Sequence, residues 1–242
     1  MADVQIRRDG VSFERAWEAA DAVPGWMTRA QGRALWDAVQ RLGAGQTVVE
    51  IGSHKGRSTV ILGHAARTVG AKVVAIDPFL EGPPYGGQPT RDAFERNIAA
   101  EGLGDVVELV IGYSTELRKT WERPVDLLYI DGKHDYWTYT DDLRWSAFMP
   151  EGAEILVHDC FTSVGVTSGT LAKVLASGRL AYVERETSLA RFVLRPPAGR
   201  DRLRLLAQLP WFARNVVVKG ALKVGLRPLA KALGHHSPVG PY

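Results

Sequence analysis

Two acid–imidazole pairs stand at the ends of short apolar runs. One is Leu127-Leu128-Tyr129-Ile130-Asp131-Gly132-Lys133-His134-Asp135-Tyr136, the other Leu156-Val157-His158-Asp159-Cys160. If the two runs are neighbouring strands of one sheet, Asp131 and Asp159 share a crevice, and two carboxylates there repel unless a proton or a cation separates them. Oxygen donors favour Mg2+ or Ca2+ over zinc. His134, three residues beyond Asp131, has the side chain that can take a hydroxyl proton at neutral pH, although a histidine so placed can equally cap a helix or orient Asp131. His54 and His158 are weaker candidates, since a loop histidine is more often a hydrogen-bonding bystander.

A second group of residues suits ligand binding. Val48-Val49-Glu50-Ile51-Gly52-Ser53-His54-Lys55-Gly56-Arg57-Ser58-Thr59 reads as a strand that turns through glycines into a helix. Gly52 and Gly56 permit a tight turn and close approach of a ligand, and the helix start offers free N–H groups. The spacing is G-x-x-x-G, which departs from the G-x-G-x-x-G of a nicotinamide-dinucleotide site. The run Val74-Ala75-Ile76-Asp77 ends in a carboxylate beside that loop, where it can accept both hydroxyls of a ribose.

These residues need a scaffold that delivers strand ends to one edge. From Gln46 onward, apolar β-branched runs alternate with helical stretches, the pattern of a parallel sheet covered by helices. Strands are predicted at Thr47–Ile51, Lys72–Ile76, Val106–Ile111, Asp126–Ile130, Glu154–Val157, Leu180–Glu184 and Ala190–Leu194. Helices are predicted at Ser58–Thr68, Arg91–Glu101, Thr115–Trp121, Thr138–Phe148 and Thr167–Ala176. The last two strands are close in sequence and should form an antiparallel hairpin at one edge. The predicted fold is therefore α/β and Rossmann-like, mostly parallel with an antiparallel terminal hairpin and helices on both faces.

Residues 1–45 read as an N-terminal helical lid or entry segment, with helices at Ser12–Ala22 and Arg29–Leu42 joined by Val23-Pro24-Gly25-Trp26. Residues 46–195 form the catalytic domain. Residues 196–242 read as a basic amphipathic helical tail broken near Pro210 and Gly220. The loop Glu81–Gly87, rich in Gly and Pro, could close over a substrate.

Composition narrows the classes. With 242 residues and 45% hydrophobic content, one substantial core is the economical reading. The single cysteine, Cys160, excludes an intramolecular disulfide and a thiolate zinc cluster. Asp3, Arg7, Arg8 and Asp9 interrupt the start where a signal peptide needs an apolar stretch, so the expectation is cytoplasmic. From Arg195 onward nine Lys or Arg face the lone acid Asp201, giving +8 there and −5 over the rest of a chain of net charge +3. Such a tail suits an anionic membrane or a partner's surface, and its apolar residues suit a homodimer contact or the chain's own domain; the main body gives no sign of a nucleic-acid surface.

The E-x-G-x-x-x-G turn with Asp77 resembles the first motifs of class I S-adenosylmethionine-dependent methyltransferases. The I-D-G-x-H-x-Y segment at 130–136, followed by His158-Asp159, resembles metal-assisted bacterial O-methyltransferases that modify sugars and antibiotics, mycobacterial polysaccharide sugar enzymes among them, and more distantly the catechol enzymes. The likeness runs from about Trp26 to Leu194. It implies that Gly52, Ser53, Gly56, Ser58 and Thr59 run beneath the methionine part of S-adenosylmethionine, with Glu50 supporting the loop. It also implies that Asp77 holds the ribose, Gly112 and Ser114 contact adenine, and Asp131 borders the cofactor. In the catechol-type pattern, metal ligands match Asp131 and Asp159, with an asparagine where this chain has Cys160. A thiol is a poor Mg2+ ligand, so His158, Asp135 or water is the substitute. His134 stands where that pattern has a lysine base. The expected reaction is methyl transfer from S-adenosylmethionine to a hydroxyl of a sugar, glycoside or oligosaccharide, with Mg2+ or another divalent cation assisting. A phenolic or polyketide acceptor is the alternative, and a non-catalytic membrane-associated scaffold is the alternative of a different class.

Overall fold

The structure, a computed structural model, describes residues 11–82 and 86–235. The charged N-terminus and the tip of the 81–87 loop, Pro83-Pro84-Tyr85, lie outside the described residues. Seven strands form one sheet: β1 (Thr47–Ile51), β2 (Lys72–Asp77), β3 (Val107–Ile111), β4 (Leu127–Ile130), β5 (Glu154–Val157), β6 (Leu180–Glu186) and β7 (Leu189–Leu194). Their spatial order is β3-β2-β1-β4-β5-β7-β6. The first five are mutually parallel, whereas β7 runs antiparallel between β5 and β6. This is the predicted Rossmann-like sheet with its terminal hairpin, and strand ends differ from expectation by two residues at most.

Strand alternation divides the interior into two cores. Val48, Val73, Ala75, Leu127, Tyr129 and Leu156 face one side. Val49, Ile51, Val74, Ile76, Leu128, Ile130, Ile155 and Val157 face the other. Because side chains alternate along a strand, a sheet apolar on both faces has to be covered on both. The first face is covered by α1 (Phe13–Asp21), α2 (Arg29–Val39), α3 (Arg57–Val69) and α4 (Gly87–Ala100). The second face takes the one-turn α5 (Ser114–Leu117), α6 (Tyr136–Asp142) and α7 (Val164–Val174). Helices α1 and α2 bury Phe13, Ala16, Leu35 and Trp36 in the first core, so only the Pro24–Met27 link between them reaches the cleft described below.

Two predicted helices change form. The stretch 115–121 gives α5 and one 3-10 turn, and 138–148 is α-helical only to Asp142 before tightening into a 3-10 turn. The tail forms α8 (Gly199–Leu206), α9 (Leu209–Lys223) and α10 (Arg227–Ala232). The predicted break near Pro210 falls at Ala207–Gln208, between α8 and α9, whereas the one near Gly220 does not occur. Pro210 sits in the first turn of α9, where its missing N–H has no helical partner to lose, and Gly220 lies inside the same helix. Among the described residues no helix is long and apolar enough to cross a membrane.

Candidate active site

The register of the parallel strands builds the site. Ile51 pairs with Ile76 and Ile130, and Ile130 with Val157, so Gly52, Asp77, Asp131 and His158 all leave the sheet at the same carboxyl edge. A cleft of about 820 Å³ opens there, within the range of ligand pockets. Its walls include Gly52, Ser53, Asp77, Ser114, Asp131, His134, His158 and Asp159.

The glycine turn is held by backbone geometry. Gly52 and Gly56 adopt φ of 90° and 87°, which favour glycine, and a β-carbon on Gly52 would collide with the Asp131 carbonyl and come within 2.7 Å of the Gly132 nitrogen. Beneath the turn the fully buried Glu50 accepts hydrogen bonds from Ser58 and Thr59 at the start of α3. Burial pushes the Glu50 carboxyl up to about 7, against the lowering effect of those hydroxyls. Asp77 accepts the His54 N–H at 2.9 Å on one oxygen and the Phe79 N–H at 2.7 Å on the other. Each oxygen keeps a second lone pair, so the residue that orders the loop can also receive a diol. Gly112 and Ser114 line the cleft on the β3 side.

Asp142, which the sequence reading passed over, belongs to this end. It lines the cleft while its side chain is fully buried, and Ser114 donates to its Oδ1 at 2.6 Å while Oδ2 has no hydrogen-bond partner. Burial raises its carboxyl to about 7. A buried acceptor without a donor is costly, and here it faces a ligand cleft. Its signal in the sequence is a carboxylate three residues after Tyr139, on the inward face of a helix; in the Asp141-Asp142 pair it reads as a solvated acid instead.

At the other end of the cleft the side chains hold one another. His134 lies between the two acids, Nε2 at 3.4 Å from Asp131 Oδ1 and Nδ1 at 3.1 Å from Asp159 Oδ2. The buried His158 places Nδ1 3.2 Å from Asp131 Oδ1 and 3.6 Å from Asp159 Oδ1, with Nε2 at 3.4 Å from Gln31 Oε1. Both His158 nitrogens lie near oxygen atoms, Nδ1 as an ionic contact without hydrogen-bond alignment, an arrangement that favours the imidazolium. Burial opposes that charge, but Asp131 and Asp159 outweigh it and push the His158 pKa up to about 9. Burial likewise works against ionised Asp131, and the two histidines overcome it and hold Asp131 well below the usual carboxylate range. His134 is raised above 6.5, burial again losing to the two acids. Tyr129 donates to Asp131 Oδ2 at 3.0 Å.

Two further residues position this cluster. Gln31 completes the N-terminal cap of α2, with its Oε1 accepting the Thr28 N–H, and also donates to Ser188 at 2.9 Å beside His158. The T-x-x-Q spacing marks the cap but not the contact with His158. Asp159 and Phe161 both adopt left-handed φ, 54° and 64°, conformations that cost about 1–3 kcal/mol each for such residues. That turn is pinned by Thr162 donating to Asp159 Oδ1 at 3.1 Å and by Asn215 of α9 donating to the Phe161 carbonyl at 3.1 Å.

The expected Mg2+ does not fit this donor set. Among the described residues no group of three or more His, Cys, Asp or Glu is disposed to hold a metal ion. The Asp131 and Asp159 oxygens already face two imidazoles, which a hard octahedral ion does not prefer. Cys160 is buried against Thr170 with its thiol pushed up to about 12 by burial, so it offers no thiolate.

Residues 49–160 match the methyltransferase-domain family. Among solved structures, the cofactor-bound Rv0187 from MTB is 22% identical with TM-score 0.59, over 80% of this chain and 94% of that one. An O-methyltransferase from Bacillus cereus in complex with SAH is 21% identical with TM-score 0.58, over 79% and 94%. The O-methyltransferase TomG from Streptomyces achromogenes, involved in tomaymycin synthesis and in complex with SAM, is 16% identical with TM-score 0.57, over 79% and 92%. The fold is that of the class I methyltransferases. Residues 49–160 thus carry the matched methyltransferase domain on that fold.

Proposed function

We propose that the chain transfers the methyl group of S-adenosylmethionine to a hydroxyl of a sugar or glycoside, with His134 as the base. The observation that carries this reading is the position of His134. It stands between the two carboxylates Asp131 and Asp159, on the same sheet edge as the glycine turn and Asp77. The naming of the Bacillus cereus and Streptomyces proteins as O-methyltransferases supports oxygen as the acceptor atom.

The cofactor fits the first half of the cleft. Asp77 offers two acceptors for the ribose hydroxyls, Gly52 lets the turn pack against the Asp131 backbone at the floor of the cleft, and the partnerless Oδ2 of Asp142 suits the exocyclic amine of adenine. When bound, the cofactor supplies a methyl carbon on a sulfonium, whose C–S electron pair leaves with the sulfur as the acceptor oxygen forms the new C–O bond. The protein's part is to bring the two reactants to near-attack distance and to remove the hydroxyl proton.

The contact between His134 Nε2 and Asp131 is the longest that this histidine makes, and His134 is the most exposed member of the cluster. An acceptor hydroxyl that exchanges for Asp131 at Nε2 gives up its proton there, while Nδ1 stays directed at Asp159. With His158 charged and His134 neutral, the four groups sum to −1, which favours a nearby sulfonium; taking up the proton brings them to zero. Trp26, 63% exposed at the mouth with its ring 5.9 Å from that of His54, provides a face for a sugar ring.

The test is an assay with labelled methyl donor against mannosides, other glycosides and catechols, using wild type and His134→Ala. Labelled O-methyl glycoside from the wild type alone is expected. Transfer only to catechols refutes the sugar, and undiminished turnover by His134→Ala refutes the base.

A further inference from the structure

Helix α9 carries a face that nothing among the described residues covers. Val216, Val217 and Val224 are exposed along it, and Leu226 and Leu229 extend the patch into α10, with Val224 69% exposed. Pro210, Ala213, Val217, Gly220 and Val224 recur at alternating three- and four-residue steps, so they form one stripe, and no charged side chain interrupts it. The opposite face is used: Val218 and Ala221 pack with Ala230 of α10, and Asn215 reaches the body.

Cations border the stripe. Lys223, Arg227 and Lys231 are exposed beside it, and the sequence has no acid between Arg202 and His235. The tail's single acid, Asp201, is already paired with Arg195 at 2.7 Å. A second copy meeting this face about a twofold axis would bring two strongly positive tails together with no acid to offset them. An anionic bilayer answers both features, since its interior takes the valines and leucines and its headgroups meet the cations.

We infer that α9 and the start of α10 dock the enzyme onto anionic membrane surfaces, stripe inward. The buried face of α9 is anchored on the Phe161 carbonyl, in the turn that carries Asp159, so the docked helix adjoins the acceptor end of the cleft while its stripe faces away from the body. Resting on the reading above, this points to an acceptor whose hydroxyl-bearing group is attached to lipid.

The experiment is co-sedimentation of the full chain with neutral phosphatidylcholine vesicles and with vesicles holding about 30% phosphatidylglycerol, with no methyl donor present, so that docking is judged apart from catalysis. The anionic vesicles should retain wild type at least ~10-fold better than neutral ones. The double variant Val217→Asp with Val224→Asp should lose that retention, as should Lys223→Gln with Arg227→Gln and Lys231→Gln, all with unchanged melting and unchanged S-adenosylhomocysteine affinity. Failure to sediment with anionic vesicles at low salt overturns the proposal. So does full retention of the aspartate variant, which would reduce the effect to charge alone, or a solution dimer that Val217→Asp dissociates, which would assign the stripe to a second copy.

Discussion

The two ends of the cleft are built on opposite principles. Where β1, β2 and β3 end, the backbone does the positioning: glycines with left-handed φ shape the turn, and main-chain N–H groups hold Asp77. Where β4 and β5 end, side chains position side chains, with His134 and His158 each facing Asp131 and Asp159. Apart from its ligand-facing acids Asp77 and Asp142, the first end should tolerate changes in side-chain chemistry and fail at an added β-carbon. The second should keep its shape under small volume changes and fail when a proton or a charge is altered.

The largest effect expected comes from the second end. His134→Ala should lower kcat by about 10²–10⁴-fold, the usual contribution of a positioned base, while isothermal titration shows S-adenosylhomocysteine affinity unchanged. Gly52→Ala should do the reverse and weaken that affinity on the order of 100-fold, because the new methyl meets the Asp131 carbonyl. Equal losses in both measurements for both variants would erase the distinction between the two ends.

Asp142 sharpens it. Its unpartnered Oδ2 is the one side-chain acceptor assigned to the adenine end, so Asp142→Asn should cost about 10-fold in cofactor affinity. It should also remove discrimination against an analogue that lacks the exocyclic amine. If the variant binds both nucleosides as wild type does, Asp142 serves only Ser114.

The pH dependence follows from the imidazoles. His134 acts as a base only when neutral and its pKa is raised, so kcat/KM should rise with pH through an apparent pKa above 6.5. Asp159→Asn should move that midpoint downward. For His158 the folded pKa lies above the unfolded one, so its pairing stabilises the fold fully below about 6.5 and is lost as pH climbs through about 9. Thermal melts should show wild type losing stability across that interval, and His158→Gln should flatten the loss.

The same contrast decides what was legible in the sequence. Periodicity and glycine spacing are local properties, so the sheet, the hairpin and the Gly52–Gly56 turn could be read directly, and the strand-end rule placed Asp77, Asp131 and Asp159 on one edge. The roles of Gln31, Asp142 and Asn215 depend on contacts spanning 127, 28 and 54 residues, which no local pattern encodes. Charge pairing was hidden for a similar reason. From spacing alone, Asp131 and Asp159 were two acids in need of a cation, and only the fold brings the histidines into that place.

That substitution carries the smallest expected change in rate. Removing divalent ions with a chelator should alter methyl transfer by less than about two-fold, since His134 and His158 already offset the repulsion that an ion would relieve. Asp131→Asn provides the control: with that carboxylate gone, His134 loses the largest of the influences that raise its pKa, and the rate should fall with or without chelator. A chelator-sensitive wild type restored by added Mg2+ would mean that the imidazoles move aside to admit the ion. The acceptor end would then depend on a ligand it takes from solution, rather than on the four side chains that hold one another in the structure.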